Sequence, residues 1–442
     1  MIVQQKKKST TAKISSPSVS PYDRPFDPNS IVGKTVLQAF DENTVDITVD
    51  APPGSGKTTT LVMIVKELIT QSDAQILVVA PTRNQIIEIA DRLIQIVPAN
   101  SITINLREGP DTGPLQSMLT AKREREAKSV LASSTKSPGH VVLSTISRAA
   151  MSIYKQPRYH FLIVDEAYQA TYGDYTNIVN SSLKHIFMGD PGQIGPVVTV
   201  PTQFWSSSRS TNPTRRLQDV IRAASKETAH YTIDTTWRLG PKTTKIINAL
   251  YPFKFSSSRP ATDLRIGQRS LDEIEVVDIH TPLERESPVA NDSVSMMKMV
   301  ARRCVSFIND GYVTRDGKER KLEAKDIAIV VGYNYQVEEA VLVMKSMCGG
   351  SCPVEVTTAD RAQGKEWCVI LAVDPASIPG GAASHSFSDG RLSVMISRHY
   401  GHLTWYGTHP DELLEHYDES LISDRALEVR GSIYRMPVID EF

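Results

Sequence analysis

Short runs of aliphatic and β-branched residues recur along the chain, separated by stretches in which apolar residues return every three or four positions. The first run, Val45–Val49, leads into a polar Gly/Pro stretch and then a helical period over Thr58–Ile69. Further apolar runs follow at Ala74–Ala80, Val141–Ser147, His160–Ala167 and Leu183–Met188. Helical periods occur at Ser30–Phe40 and Asn84–Val97. After a Ser/Arg-rich connector, Phe204–His230, with a helix at Arg216–Ser225, the pattern resumes. Strands are predicted at Ile274–Val277, Ile327–Val331, Val354–Thr358, Cys368–Val373 and His402–Tyr406, with helices at Ser293–Asn309 and Gln336–Met347 and a loop at Ala376–Asp389. Strands alternating with helices predict parallel α/β sheets. Each polar motif in the first half falls at a strand's carboxyl end, where an open parallel sheet binds its ligand.

Two such series in 442 residues predict two α/β domains, residues 29–229 and residues 230–442, the second with a C-terminal extension. Residues 1–28 are polar, carry Lys6–Lys8, and are expected to form a disordered tail. Residues 99–140 are polar and expected as a small insertion. Its helix Leu119–Leu131 carries Lys122, Arg123, Arg125 and Lys128 beside Glu124 and Glu126, a solvated face or the lining of a nucleic-acid path.

Composition narrows the partners. With a net charge of -1 there is no global basic field, so a polyanion site must be a local patch. Of the four cysteines, Cys348 and Cys352 lie close together but have no second ligand pair, which argues against zinc. No disulfide framework is apparent, so a reducing, cytoplasmic setting is expected, for a cellular, viral or phage protein alike. No run is apolar enough to span a membrane, and no signal peptide is visible.

The most informative stretch is Val49–Thr60, VDAPPGSGKTTT. A strand, a Gly-rich loop and a helix in that order form the context of a phosphate-binding loop. Pro53, Gly54, Ser55 and Gly56 would wrap a phosphate. Lys57 would pair with the β- and γ-phosphates, Thr58 would hold Mg²⁺, and Thr59 continues the cradle. Ala51 stands where the full pattern has its first Gly, which the loop accommodates if the φ of Ala51 is negative. Asp165 ends an apolar run and is the natural Mg²⁺ partner; Glu166 beside it would be the general base. Gln193, in MGDPGQIGP, would sit beside the γ-phosphate.

APPGSGKT, APTR, VDEA and GDPGQIGP, in this order, resemble the superfamily 1 helicases, with nearest likeness to the group of nonsense-mediated-decay RNA helicases and their viral and bacterial relatives. DTTWRLGP (Asp234–Pro241), IAIVVGYNYQ (Ile327–Gln336), VTTADRAQGKEWCVIL (Val356–Leu371) and RLSVMISRHYGHLTWYG (Arg391–Gly407) are similar to the later motifs of that family. The resemblance runs from about Asn29 to Gly407 and implies two RecA-like domains with ATP, or another NTP, and Mg²⁺ between them. It implies arginine fingers at Arg238 and Arg398, ribose binding at Glu366, and Gln363 and Gly364 at the cleft. It also implies adenine recognition by Asn29 or Gln38, and backbone contacts to single-stranded RNA or DNA from Thr82, Ser144, Thr145, Thr357 and Thr358. Trp237 stands where Tyr is usual, Gly240 where His is common, and Tyr400 where a second Arg often sits. The zinc-rich regulatory domain of the decay helicases has no counterpart. The expected activity is an ATP-dependent helicase or translocase; the alternative is a nucleotide-dependent switch or remodelling subunit that binds nucleic acid or protein without unwinding.

Overall fold

The computed structural model describes residues 21–106, 138–152, 159–196, 198, 205, 212–224, 227–279, 290–377, 383–415, 417 and 423–439. Residues 1–20 of the predicted tail and the helix Leu119–Leu131, with its basic cluster, lie outside them. Residues 21–28, expected as the end of a disordered tail, instead join the fold, with a helical turn at Pro21–Asp23, Tyr22 packed against the first core and Tyr22 O accepting from Lys66 Nζ (2.9 Å).

The first seven strands are β1 (Asp46–Asp50), β2 (Ile76–Ala80), β3 (Ile102–Asn105), β4 (Val141–Thr145), β5 (Tyr159–Val164), β6 (Ser182–Gly189) and β7 (Thr228–Thr232). They form one parallel sheet in the order β3-β4-β2-β5-β6-β1-β7. The continuous apolar runs arise because both faces are covered. In β2, Ile76, Val78 and Ala80 enter one core with Leu61, Ile64 and Leu68 of the helix Lys57–Ser72. Leu77 and Val79 enter the core on the other face with Phe187 and Leu217. That is the period of two expected of a strand.

Two expectations shift here. β3 lies inside the stretch expected as an insertion, so residues 102–105 are core. β7 pairs with β1 throughout, so the first sheet extends to Thr232 and a boundary at residue 229 would cut a strand.

The second half holds β8 (Thr235–Thr236), β9 (Ser256–Ser257), β10 (Thr262–Ile266), β11 (Arg269–Leu271), β12 (Ile274–Asp278), β13 (Gly311–Arg315), β14 (Lys318–Lys321), β15 (Ile327–Val331), β16 (Glu355–Thr358), β17 (Trp367–Val373) and β18 (His399–Gly407). A second parallel sheet runs β12-β18-β17-β15-β16. It too is covered on both faces: Ala328 and Val330 point to one core, and Ile327, Ile329 and Val331 to the other. The fold class is therefore α/β with two RecA-like parallel sheets. The helix Asp424–Ile433 buries Ala426, Val429 and Ile433 in the second core, so this end of the chain is part of the domain rather than an appendage.

An antiparallel sheet in the order β11-β10-β13-β14 was not expected. Leu264, Val313 and Leu322 pack it against Met297, Val300 and Phe307 of the helix Ala290–Asp310. Its β13–β14 hairpin turns at Asp316 and Gly317, both at positive φ (52° and 74°), as a two-residue turn of type I′ requires. Among the described residues, no helix is long and apolar enough to cross a membrane.

Candidate nucleotide site

Three adjacent strands build one wall of a cleft. β5, β6 and β1 lie side by side, so the loops after them converge: Asp165–Glu166, Asp190–Gln193 and Ala51–Gly56. Gly54 (φ 68°) and Gly56 (φ 79°) take left-handed conformations. Ala51 has no positive φ and is buried, so this loop forms without the first Gly. Lys57 opens the following helix. Its Nζ lies 2.6 Å from Asp165 Oδ1 and 2.7 Å from Glu166 Oε1. Burial alone would depress the Lys57 ammonium, but the charges of Asp165 and Glu166 outweigh it and hold the pKa above its ordinary value.

Glu166 is one of three non-glycine residues at positive φ among the described residues (51°), a conformation that costs energy unless its surroundings impose it. Its amide donates to Asp165 Oδ1 (3.0 Å), which fixes the two carboxylates relative to each other. Gln193 is held by Asp190, whose Oδ2 accepts from Gln193 Nε2 (2.7 Å) and whose Oδ1 accepts from the Gly192 amide (3.0 Å). Burial raises the Asp190 carboxyl to about 6, against the opposing hydrogen bonds from Gln193 and Tyr251.

The opposite wall comes from the second half. Arg238 follows β8, and its segment lies on the phosphate loop: Trp237 N donates to Gly54 O (2.9 Å) and Thr236 Oγ1 to Pro53 O (2.6 Å). Arg398 caps the helix Asp389–Ser397 just before β18 and is almost fully buried. Burial, then repulsion from Arg238, lowers it to about 10, with Asp190, Tyr251 and Glu166 pulling the other way; it stays charged at neutral pH. Arg398 and Glu366 precede the strands β18 and β17. The second sheet thus offers its amino ends to the cleft, whereas the first offers its carboxyl ends.

All of this surrounds one cleft of about 360 Å³. It brings together Pro53, Gly54, Ser55, Gly56, Lys57, Thr58, Glu166, Gln193, Arg238, Gly364, Glu366 and Arg398. Buried polar atoms without a partner point to what it takes: Ser55 Oγ, Glu166 Oε2, Gln193 Oε1, and Arg398 Nε and Nη2. Buried donors and acceptors are rarely left unmatched unless a ligand or water takes them up. Cationic donors opposite a phosphate loop fit a nucleoside triphosphate. A hydroxyl (Thr58) and a carboxylate (Asp165) are hard oxygen ligands suited to Mg²⁺.

Other expected residues fall elsewhere. Asp165 is buried behind Lys57. The Thr59 hydroxyl accepts from Arg92 Nη1 (3.0 Å). Gln363 Nε2 reaches Ile194 O (3.3 Å). Glu366, in the cleft, accepts at Oε2 from Arg238 Nε (2.7 Å). Gln38 bonds Asp41, Thr44 and Tyr231, and neither Gln38 nor Asn29 lines the cleft. Thr82 caps the helix Arg83–Leu93, and Thr145 accepts from Arg148 N. Thr358 is the N-cap of the helix Ala359–Ala362. Ser144 and Thr357 are buried with their hydroxyls on backbone carbonyls, so the structure does not offer them to a strand. Their strands are covered on both faces at these positions, so a residue pointing either way is buried.

Residues not anticipated include Asp190, Arg92, Arg315 and, beyond β15, three stacked rings. Tyr333 stacks on His385 (4.7 Å between centroids) and on Tyr335 (5.7 Å), which is exposed. Tyr333 follows two residues after Val331, the register partner of Thr358.

Residues 34–246 match the model of an AAA domain. The match is just under half of the chain and contains the phosphate loop, Asp165, Glu166, Gln193 and Arg238. No curated protein matches. Among solved structures, the chain is similar to an arterivirus nonstructural protein 10 (helicase) in complex with DNA, at 15% identity and a TM-score of 0.44 over 87% of this chain and 65% of that one. A crystal structure of arterivirus nonstructural protein 10 (helicase) gives 15% and 0.44 over 88% and 64%. The PRRSV helicase gives 14% and 0.42 over 86% and 54%. The chain thus spans less than two thirds of the length of each. Likeness at this level carries no weight on activity.

Proposed function

We propose that this chain is an ATP- or NTP-hydrolysing motor of superfamily 1 that moves along single-stranded RNA or DNA and unwinds duplex. The observation that carries the reading is the two-sided cleft, with Lys57 and Glu166 on one wall, Asp165 bonded to Lys57 behind it, Arg238 and Arg398 on the other wall, and partnerless polar atoms between them.

The roles follow from chemistry. The phosphate loop and Lys57 hold the β- and γ-phosphates. Thr58 and Asp165 would hold Mg²⁺, which neutralises charge on the phosphate oxygens. Glu166, whose Oε2 is uncommitted, orients and deprotonates the attacking water. Gln193, with its amide nitrogen held by Asp190, presents its free Oε1 to the same water or to the γ-phosphate. Arg398 and Arg238 stabilise charge developing on the γ-phosphoryl group. Hydrolysis removes the group that both walls grip, and this biases opening of the cleft. Thr82 and Thr145, at the carboxyl ends of β2 and β4, and the exposed Tyr335, stacked through Tyr333 on His385 beyond β15, are the contacts we assign to the nucleic acid, with bases stacking on the exposed ring; Thr358 is buried like Thr357.

ATPase activity measured with and without single-stranded DNA and RNA, followed by strand displacement on tailed duplexes, tests this reading. Stimulation by one polymer together with displacement supports it. Stimulation without displacement indicates the non-unwinding switch, and ATPase indifferent to both polymers contradicts a nucleic-acid motor.

A further inference from the structure

The antiparallel sheet reaches the nucleotide cleft. Arg315, the last residue of β13, lines it together with Tyr400, two residues beyond Arg398. The sheet carries four arginines, and three are matched to carboxylates: Arg265 to Glu319 (2.9 Å), Arg269 to Glu275 (2.8 Å) and Arg320 to Asp326 (2.5 and 3.0 Å). Arg315 has no carboxylate partner among the described residues. Its guanidinium lies over the Tyr400 ring, 5.6 Å from the centroid, and the residue is exposed at the edge of the cleft.

Its setting is rigid. The Asp316–Gly317 turn fixes the end of the hairpin, and Arg315 pairs in register with Lys318. Arg320 anchors the returning strand to Asp326. The Tyr400 ring is itself held, with its hydroxyl bonded to the Cys368 thiol and its carbonyl accepting from Arg259 Nη1 (2.9 Å). A guanidinium laid on an aromatic face keeps its edge donors free. The same cleft already holds Lys57, Arg238 and Arg398, and Arg238 depresses Arg398. Lys57 is matched by Asp165 and Glu166 and Arg238 by Glu366, so among the described residues Arg315 and Arg398 are the cleft's guanidiniums without a carboxylate bond, and an anion bound in the cleft would be attracted by both.

We infer that Arg315 is a further nucleotide-binding residue, supplied by the antiparallel sheet to the phosphate chain of the nucleotide and presented by the face of Tyr400. This rests on the proposed nucleotide site. It adds a third element to that site, beyond the two parallel sheets. The hairpin then grips only when a nucleotide with a multiply charged phosphate chain is present.

The test is equilibrium binding of fluorescent N-methylanthraniloyl ATPγS and AMP to the full chain, and the KM for ATP. Arg315→Ala is expected to weaken ATPγS binding roughly tenfold and raise KM in parallel, and to change AMP binding less than twofold. Arg315→Glu should weaken ATPγS binding further. Lys318→Ala, on the other strand of the same turn, should match the wild type. Thermal melts of all variants should coincide; if Arg315→Ala melts early, Arg315→Lys, which keeps the charge, reports instead and should retain most of the affinity. Wild-type ATPγS affinity in Arg315→Ala and Arg315→Glu would overturn the inference while leaving the proposed site intact. Equal losses for AMP and ATPγS would overturn the phosphate contact. A wild type that binds neither nucleotide would overturn the proposed site itself.

Discussion

Gly54 of the phosphate loop and Arg238 of the opposite wall are in backbone-to-side-chain contact: a Cβ built on Gly54 would lie 2.2 Å from Arg238 Cβ. The two halves of the site are therefore fitted to each other at a glycine. A Cβ on Gly56, by contrast, would meet nothing within 4 Å. Both residues have positive φ, so either alanine variant bears a left-handed strain of roughly 1–2 kcal/mol. Gly54→Ala must in addition displace the Arg238 segment. Urea denaturation should show Gly54→Ala as clearly less stable than Gly56→Ala; equal midpoints would contradict the close fit.

Lys57 and Glu166 are ion-paired yet have separable tasks. Glu166→Gln removes the base and should lower kcat by roughly 10²–10⁴-fold with nucleotide affinity retained. Lys57→Ala removes the phosphate contact and leaves the buried Asp165 and the part-buried Glu166 without their cation, so binding and turnover should both be lost. Calorimetric titration with ATPγS beside steady-state ATPase separates the two. Tight binding by Lys57→Ala would refute the phosphate role.

Asp190 makes a prediction in pH. Its folded pKa is raised to about 6 by burial, above the unfolded value of about 3.9. The folded state therefore holds the proton more tightly, and the contribution of Asp190 to stability is complete below about pH 4 and lost as pH rises through about 6. In Asp190→Asn that loss is absent, so its stability relative to the wild type should increase from pH 4 to pH 6.5. Parallel stability curves across this range, from chemical denaturation, would rule out the shifted carboxyl. The same variant should lower kcat at neutral pH, because Gln193 loses its anionic anchor.

Legibility divided along physical lines. The interior strands were readable because a strand buried on both faces is apolar throughout, and β15 was located to the residue. β14, KERK, is exposed along its whole length, so hydrophobic pattern said nothing, although the Asp316–Gly317 turn was a hairpin signal in plain view. β7 is a half-buried edge strand and read as connector. The phosphate loop, Asp165 and Glu166 are local in sequence and were legible from spacing. Arg238 and Arg398 came only from resemblance, since the chain between each of them and Lys57 is set by tertiary structure. The hydroxyls of Ser144 and Thr357 failed because their strands are covered on both faces at these positions, so residues pointing either way along them are buried whatever their type.

The exposed ring of Tyr335 separates stacking from charge. Tyr335→Ala should weaken binding of a labelled single-stranded oligonucleotide by roughly 1–3 kcal/mol, with an unchanged slope of log affinity against log salt, because no phosphate contact is removed. Tyr335→Phe should bind as the wild type. A changed salt slope, or full affinity in Tyr335→Ala, would place the strand elsewhere.

The central claim is that one active site is completed by two walls, and Arg398 tests it most directly. It is buried, its Nε and Nη2 have no partner, and it lies across the cleft from Lys57. Steady-state ATPase of Arg398→Ala, beside ATPγS affinity, should show kcat reduced roughly 10³-fold or more with binding within a few-fold of wild type. An unchanged kcat in a folded Arg398→Ala protein would mean that hydrolysis does not use the second wall.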